Sequence, residues 1–457
     1  MIKVSKYLKK FKTTFFEKSL SEQKLSYFCE VYSGNQTTNT LKTNKKKIIN
    51  DPVFGFINIR SELVFDLIEH PYFQRLRRIK QLGLSCMVYP GANHTRFEHA
   101  LGAVHLMRSA LAILKLKGQE ITDDEADAVT IAILLHDIGH GPFSHVLEST
   151  IVPEVSHERI SLLLMEELNR QFDGKLDLAI RIFTNQHPKH FLHQLVSSQL
   201  DMDRLDYLSR DSFFSGVSEG VISSERIIKM LDVKNDELVV EYKGIYSVEN
   251  FLISRRLMYW QVYLHKTVLS AEYLLINVLL RAREIAMKGV DLFATPVLKA
   301  FLLNEIILDD FIYNRQVDGR PVLDLFANLD DNDIIASIKE WQNHPDFVLS
   351  YLSGCIINRR LFKIKISKKP IPEHKIALLK EKIGAQMDVS DQEMSYFLIT
   401  DTISNSAYNK ASSDKINVLF KNNKVSDIAN ASDINLSVFS ETIRKYFICY
   451  PKELDIK

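Results

Sequence analysis

An apolar run, Ala128–Leu135, ends in His136-Asp137-Ile138-Gly139-His140-Gly141-Pro142-Phe143-Ser144-His145. Neutral imidazoles beside a carboxylate suit a divalent cation of borderline hardness. A helix that ends by exposing His136 and Asp137, with Gly139 as its stop, delivers both side chains to one point. A bare His-Asp pair is common by chance and usually structural, so the donors elsewhere in the chain decide what this stretch is for.

The flanking segments carry their own start signals. Thr95-Arg96-Phe97-Glu98 is a capping box in which Thr95 caps and Glu98 reaches back. His99 therefore sits in the first turn of a helix running to about Lys117, with Arg96 beside it on one face. Thr122-Asp123-Asp124-Glu125 is a second capping box and opens the helix whose end carries His136 and Asp137. Ser156 caps a helix from His157 to about Phe172. Residues 189–211 read as one long helix, on which Asp203, Tyr207 and Asp211 share a face. Leu205 and Leu208 point to the core. Periodicity does not choose among Asp201, Asp203 and Asp206 as a partner for the His-Asp pair.

Residues 51–60 alternate partly and predict a short strand or hairpin. Ser61–His70 reads as a helix, and Pro71 starts the next. In that one Phe73, Leu76 and Ile79 form the core face, while Arg75, Arg77 and Arg78 stay polar, solvated or holding an anion. From Val248 to about Met287 the pattern is helical, and residues 295–353 read as shorter helices. Near residue 360 the composition changes. Phe362–Ile366, part of Ser395–Asp401 and Asn417–Phe420 alternate with period two, and His374–Ile383 reads as helix. The expected division is a basic arm and linker (1–46), a core (47–355) and a small α+β region (356–457).

Lys+Arg 58 against Asp+Glu 57 leaves a net charge of +1 over 457 residues, which removes any global case for nucleic-acid or membrane attraction. Cys29, Cys86, Cys355 and Cys449 are far apart with no CxxC, as in a reduced cytosolic protein. No segment has the apolar length of a signal peptide or a spanning helix. The protein is expected to be soluble and cytoplasmic.

Several His and Asp groups on separate helices are compatible with a first-row divalent metal that leaves coordination positions open for water. Phosphate esters are natural targets, because a cation neutralises their oxygens. Arg96, Arg204, Arg210 and Arg255 offer forks matched to phosphate.

Arg96-Phe97-Glu98-His99, the His136–His145 block, Asp203–Asp211 and Tyr263-Leu264-His265-Lys266 form an H…HD…D pattern. With Lys47–Pro52, Phe73–Arg77 and Ile79–Gly83 it resembles the HD-domain deoxynucleoside triphosphate triphosphohydrolases, a branch of the HD superfamily of metal phosphohydrolases. The likeness runs from about Lys47 to Lys266, roughly half of the chain. It implies a mainly α fold, an HD-domain helical core with a small α+β C-terminal lobe. The implied reaction is dNTP plus water to deoxynucleoside plus triphosphate.

By resemblance, His99, His136, Asp137 and Asp203 match the ligands of a divalent metal (Mn, Fe, Mg, Zn or Ni), with a second divalent ion accompanying the substrate. His145 matches the proton donor to the leaving 5′ oxygen, with Glu148 one turn later to orient it, where the family often has Asp. His140 and His157 match histidines lining the triphosphate. Arg96, Arg204 and Arg255 match triphosphate contacts, Arg204 replacing a Lys. Gln81 and Asp211 match hydrogen-bonding partners of the sugar 3′-hydroxyl, Tyr207 a sugar contact, and Leu82 and Tyr263 the wall at the 2′ position. That wall makes a ribose hydroxyl lose its water and so favours deoxyribose.

Lys47, Asn50, Gln74, Arg77, Val88, Lys243 and His265 match parts of regulatory nucleotide sites between subunits, which implies a homo-oligomer, dimer or tetramer. Glu69 stands where vertebrate members have Asp, and Glu241 where they have Arg. A carboxylate in place of that Arg repels a phosphate.

The same metal-ligand pattern serves two other readings. One is a phosphodiesterase or nucleotidase on cyclic or monophosphate nucleotides. The other is a catalytically silent nucleotide sensor or nucleic-acid-binding scaffold. Gln81, Leu82, Tyr263 and the extra arginines favour a triphosphate on a deoxy sugar. Intact ligands argue against silence, and the near-neutral charge argues against nucleic acid.

Overall fold

A computed structural model describes residues 47–143, 145–153, 155–409, 415–436 and 442–454. The expected arm (1–46), Cys29 and the side chain of His145 lie outside the described residues. The chain is mainly α, a helical core with small sheets.

The described residues open on a hairpin, β1 (Lys47–Asp51) against β2 (Gly55–Ile59), closed by Asp51 accepting the Val53 and Phe54 amides. Ile57 and Ile59 point into the core. Helix α1 (Glu62–Glu69) buries Val64, Leu67 and Ile68. The next turn, 71–78, buries Phe73 and Leu76 as its pattern predicts. Arg75 departs from expectation. It is wholly buried, donating to the carbonyl oxygens of Leu329 (3.2 Å) and Ile138 (2.8 Å), and so is neither solvated nor available to an anion. The two carbonyls offset part of the cost of burying a guanidinium, whose Nε is left without a hydrogen-bond partner among the described residues.

Two helices form the centre. Both capping boxes are present: α2 (Arg96–Leu116) starts at Thr95 with Glu98 reaching back, and α3 (Asp123–Leu135) starts at Thr122 with Glu125. They pack on one another and are buried along most of their length, so hydrophobicity all round replaces a narrow apolar stripe. Helix α4 (His157–Gln171) starts at the Ser156 cap. Gly139 lets the turn after α3 approach α4: a Cβ there would fall 2.2 Å from the His157 carbonyl oxygen.

The long helix expected over 189–211 is two, His190–Val196 and α5 (Met202–Ser215). Side chains compete with the helix for backbone groups in between. Asp201 accepts the Ser198 amide (2.8 Å) and caps α5 through the Arg204 amide (2.7 Å). The helix expected from Val248 to Met287 also breaks. Helix α6 (Ile245–Met258) runs into a π-turn at Tyr259–Tyr263, and α7 (Lys266–Met287) restarts after His265. A π-turn widens the backbone and re-aims its side chains, a device frequent at functional sites.

Shorter helices fill 296–357. Beyond them β5 (Lys363–Ser367), β6 (Ile399–Asn405) and β9 (Ile443–Tyr450) form an antiparallel sheet in the order β5-β9-β6. The hairpin of β3 (Leu231–Lys234) and β4 (Glu237–Glu241) is extended by β7 (Asn417–Leu419), parallel to β4, and then by β8 (Val425–Asp427). Among the described residues no helix is long and apolar enough to cross a membrane. Cys86, Cys355 and Cys449 are free thiols.

Candidate metal centre and active site

Four elements bring the metal-binding candidates together: the first turn of α2, the end of α3 and the first turn of α5 meet, with α4 alongside. His99 Nε2, His136 Nε2 and Asp203 Oδ1 are mutually 3.2–3.5 Å apart. Asp137 lies beside them, Oδ1 at 3.4 Å from His136 Nε2 and Oδ2 at 3.8 Å from His99 Nε2.

The far side of each imidazole fixes its tautomer. His99 Nδ1 donates to Asp206 Oδ2 (2.7 Å) and His136 Nδ1 to the Ile133 carbonyl (2.6 Å). Both Nε2 lone pairs and two carboxylates therefore converge on one spot, an arrangement that repels itself until a cation enters. The donor set, two imidazoles and two carboxylates with oriented outer partners, fits a divalent metal.

Electrostatics point the same way. Burial opposes charge on these groups, but Asp203 and Asp206 push His99 up to about 10, and Asp137 and Asp203 raise His136. Against the same burial, His136 draws Asp137 and Asp203 well below the usual carboxylate range, helped by His140 at Asp137 and by His99 at Asp203. His140 is the reverse. Burial and the Arg96 guanidinium push it down to about 3, so it is a neutral imidazole.

The three aspartates that periodicity left open have separate jobs. Asp201 caps α5, Asp203 faces the centre, and Asp206 orients His99 while pairing with Arg210 (2.9 Å). Arg210, named from sequence as a phosphate fork, is wholly buried between Asp206 and Asp51 and holds the frame. Gly102 makes room for this pair, since a Cβ there would fall 1.9 Å from Asp206 Oδ1.

A second group adjoins the first. Asp137, His140 and His157 offer converging ligand atoms, and the rings of His140 and His157 stack at 3.7 Å. Glu148 holds His157 Nδ1 at 2.8 Å, a pairing the sequence did not suggest.

A cavity of about 570 Å³ opens from this centre, within the size range of ligand sites. At one end its wall carries Asp137, Asp203, His140 and His157 with Arg96 and Arg204. Arg96 also pairs with Asp137, and Arg204 is anchored by the Ser198 carbonyl (2.6 Å) and Asp201 (3.2 Å). At the other end are Gln81, Leu82, Tyr207, Asp211 and Tyr263. Gln81 Oε1 is buried there without a hydrogen-bond partner. Asp211 accepts from Tyr263 (2.7 Å) and from His94 (2.7 Å), a buried histidine that the sequence reading passed over.

Arg255 stands behind that wall, donating to the Ala407 carbonyl and lying over Tyr259. None of the seven regulatory-site candidates lines the cavity. Gln74 bonds Arg77, which lies over Phe97; Lys47 faces Glu69 at 3.9 Å; His265 caps α7. Asn50 is in β1, Val88 follows the turn 83–87, and the Lys243 carbonyl accepts from Arg226. Glu241 is tied to Lys117 at 2.6 Å.

Comparison with known proteins identifies the family. The HD domain family matches residues 96–211, and the HD associated region matches residues 222–290. A crystal structure of a phosphohydrolase from Bacteroides thetaiotaomicron is 56% identical, with a TM-score of 0.85 over 89% of this chain and 99% of that one. The uncharacterized protein YwfO of Bacillus subtilis is 30% identical over 90% of this chain and 94% of its own length. The deoxynucleoside triphosphate triphosphohydrolase SAMHD1 homolog of Dictyostelium discoideum is 32% identical over 52% of this chain and 50% of its own. The chain belongs to the HD-domain family of metal-dependent phosphohydrolases.

Proposed function

We propose that the protein hydrolyses deoxynucleoside triphosphates to deoxynucleoside and inorganic triphosphate, in the cytoplasm and as a homo-oligomer, a dimer or tetramer. One observation carries the reading. A single cavity joins Asp137, Asp203 and the guanidiniums of Arg96 and Arg204 to Gln81, Leu82, Tyr207, Asp211 and Tyr263, a lining suited to a sugar. The triphosphohydrolase from Dictyostelium, similar over half its length, supports the same substrate class.

His99, His136, Asp137 and Asp203 would hold the divalent ion, which when bound acidifies water and neutralises phosphate oxygens. Arg96 and Arg204 bind the triphosphate, their guanidiniums held in place by Asp137 and Asp201. Arg255 adds positive charge from the second layer. His140 and His157, with Glu148 behind, line the phosphate path. His145 is assigned the proton for the leaving 5′ oxygen, and a second divalent ion accompanies the substrate. Gln81 and Asp211 hold the 3′-hydroxyl, Tyr207 flanks the sugar, and Leu82 with Tyr263 crowds the 2′ position. Lys47, Asn50, Gln74, Arg77, Val88, Lys243 and His265 are proposed to meet regulatory nucleotides between subunits.

The test is product identification. Purified protein is incubated with each dNTP and Mn²⁺ or Mg²⁺, and phosphorus NMR follows the products. Inorganic triphosphate with free deoxynucleoside is expected. Pyrophosphate or orthophosphate as the first product, or turnover of cyclic or monophosphate nucleotides alone, overturns the assignment.

A further inference from the structure

His94 is a buried imidazole with a divided role. It is 2% exposed, and its ring stacks on Phe214 at 4.6 Å. Nε2 lies 2.7 Å from Asp211 Oδ1, and Nδ1 has no hydrogen-bond partner. A carboxylate can only accept, so Nε2 carries the hydrogen and donates. The other Asp211 oxygen accepts from the Tyr263 hydroxyl at 2.7 Å. The main chain of His94 does a second job: its carbonyl accepts the Gln81 amide hydrogen at 3.0 Å, next to a bridge between Lys80 and Thr95.

One residue thus ties together both sides of the sugar pocket. Through its backbone it places Gln81, whose Oε1 is buried and unpaired. Through its side chain it fixes the plane of the Asp211 carboxylate, and that plane fixes where the Tyr263 hydroxyl points. Tyr263 is half-buried and packs against the core, but apolar packing does not fix the direction of its hydroxyl. Its neighbours Tyr207 and Tyr259 meet it edge-on, at 6.2 and 5.1 Å, contacts that tolerate a swing of the ring. Its own hydrogen bond to Asp211 is its one directional restraint among the described contacts.

We propose that His94 is the positioning residue for sugar discrimination: through Asp211 it holds the Tyr263 ring against the 2′ position of the bound nucleotide. The proposal rests on the deoxynucleotide reading above. A steric wall excludes an added hydroxyl only while it cannot retreat, and a close-packed wall supplies discrimination on the order of 10- to 200-fold. Release of Asp211 from His94 lets the carboxylate rotate and Tyr263 follow. The 2′-hydroxyl is then admitted; any weakening of the Asp211 hold on the 3′-hydroxyl falls on both sugars alike, so the ratio between them reads the wall alone.

The experiment measures kcat/KM for the 2′-deoxy and the 2′-hydroxy form of whichever nucleotide the wild type turns over fastest. It is run on wild type, His94→Phe, His94→Gln, Tyr263→Phe and the double variant His94→Phe/Tyr263→Phe. Phenylalanine keeps the stack on Phe214 and deletes the donor. Glutamine restores a donor near the Nε2 position. His94→Phe is expected to lower the deoxy-to-ribo ratio at least about fivefold, the deoxy form losing more than the ribo form because only the ribo form gains from the retreat of the wall. Tyr263→Phe is expected to do the same, and the double variant no more than either single change, because both break one chain of contacts. His94→Gln is expected to keep the ratio within about twofold.

A ratio unchanged in His94→Phe, an additive double variant, or a wild type that does not discriminate overturns the proposal. If His94→Phe does not fold, His94→Gln and Tyr263→Phe still decide: loss of the ratio in the glutamine variant, or its retention in Tyr263→Phe, has the same force. A wild type whose best substrate is not a triphosphate refutes the reaction proposed above but leaves this ratio measurable, so the two failures are distinct.

Discussion

Asp206→Asn separates orientation of a ligand from ligation itself. Asp206 is wholly buried and accepts three hydrogen bonds, from His99 Nδ1 at 2.7 Å and from Arg210 Nε and NH2 at 2.9 Å each. Asparagine keeps the shape but has one acceptor oxygen. Its NH₂ takes either the Oδ1 place, against Arg210 NH2 alone, or the Oδ2 place, against both Arg210 Nε and His99 Nδ1. In the second case the imidazole proton moves to Nε2 and covers the lone pair the cation needs. Bonds to charged groups contribute about 1.5–3 kcal/mol each. One is lost in the first case and two in the second, and Arg210 keeps Asp51 at 2.7 Å in both. The expected destabilisation is therefore about 3 kcal/mol, large but within the stability of an ordinary domain.

Metal affinity is expected to fall about 10- to 100-fold, the usual cost of losing an outer-layer partner. Urea unfolding of metal-free protein reads the first quantity, and competition against a chelator reads the second. Gly102→Ala provides an independent route, since its Cβ would displace Asp206 without changing its charge. Unchanged metal affinity in Asp206→Asn, with stability reduced, would refute the orienting role.

Two further outcomes follow from buried groups outside the centre. Arg75→Met leaves the Leu329 and Ile138 carbonyls unpaired, so a loss of about 2–4 kcal/mol is expected in urea unfolding, with reduced turnover because Ile138 adjoins Asp137. Asp331 is pushed up to about 6 by burial, against the Lys80 and Phe143 amides that donate to it. The folded protein therefore binds this proton more tightly than the unfolded chain does. Stability from this group is present below about pH 4 and is lost as pH rises through 6. Asp331→Asn sets its NH₂ against one of those two amide donors, a cost that does not vary with pH, but it removes the titration: its stability relative to wild type should be up to about 3 kcal/mol better at pH 7.5 than at pH 4, read as the difference between two pH series of unfolding midpoints.

Local signals in the sequence proved reliable where a side chain competes for one specific backbone group. Thr95 with Glu98, Thr122 with Glu125 and Ser156 all start helices where they should. The same chemistry misled where it interrupts a periodic run. Asp201 looks like a candidate ligand inside a long helix, yet it ends the continuity by capping the second half. The π-turn at 259–263 is equally hard to read from a 3.6-residue pattern, because it is a single widened turn in a segment that is apolar on several faces. Arg75 reads as solvated or anion-binding and Arg210 as a phosphate fork, because what buries each guanidinium includes an acceptor 63, 254 or 159 residues away; only Asp206, four residues from Arg210, is local. His94 was missed for a related reason. It follows a turn, has no partner nearby in sequence, and gains meaning only from Asp211, 117 positions later.

Whether His99, His136, Asp137 and Asp203 hold one cation is decided by anomalous scattering from crystals of the purified protein, with metal content measured on the same sample. One divalent ion per chain is expected, within about 2.0–2.3 Å of His99 Nε2, His136 Nε2 and carboxylate oxygens of Asp137 and Asp203. It should be absent from a folded His136→Ala/Asp137→Ala variant that no longer turns over substrate. A metal found elsewhere in the fold, or retained at full stoichiometry in that variant, would contradict the account.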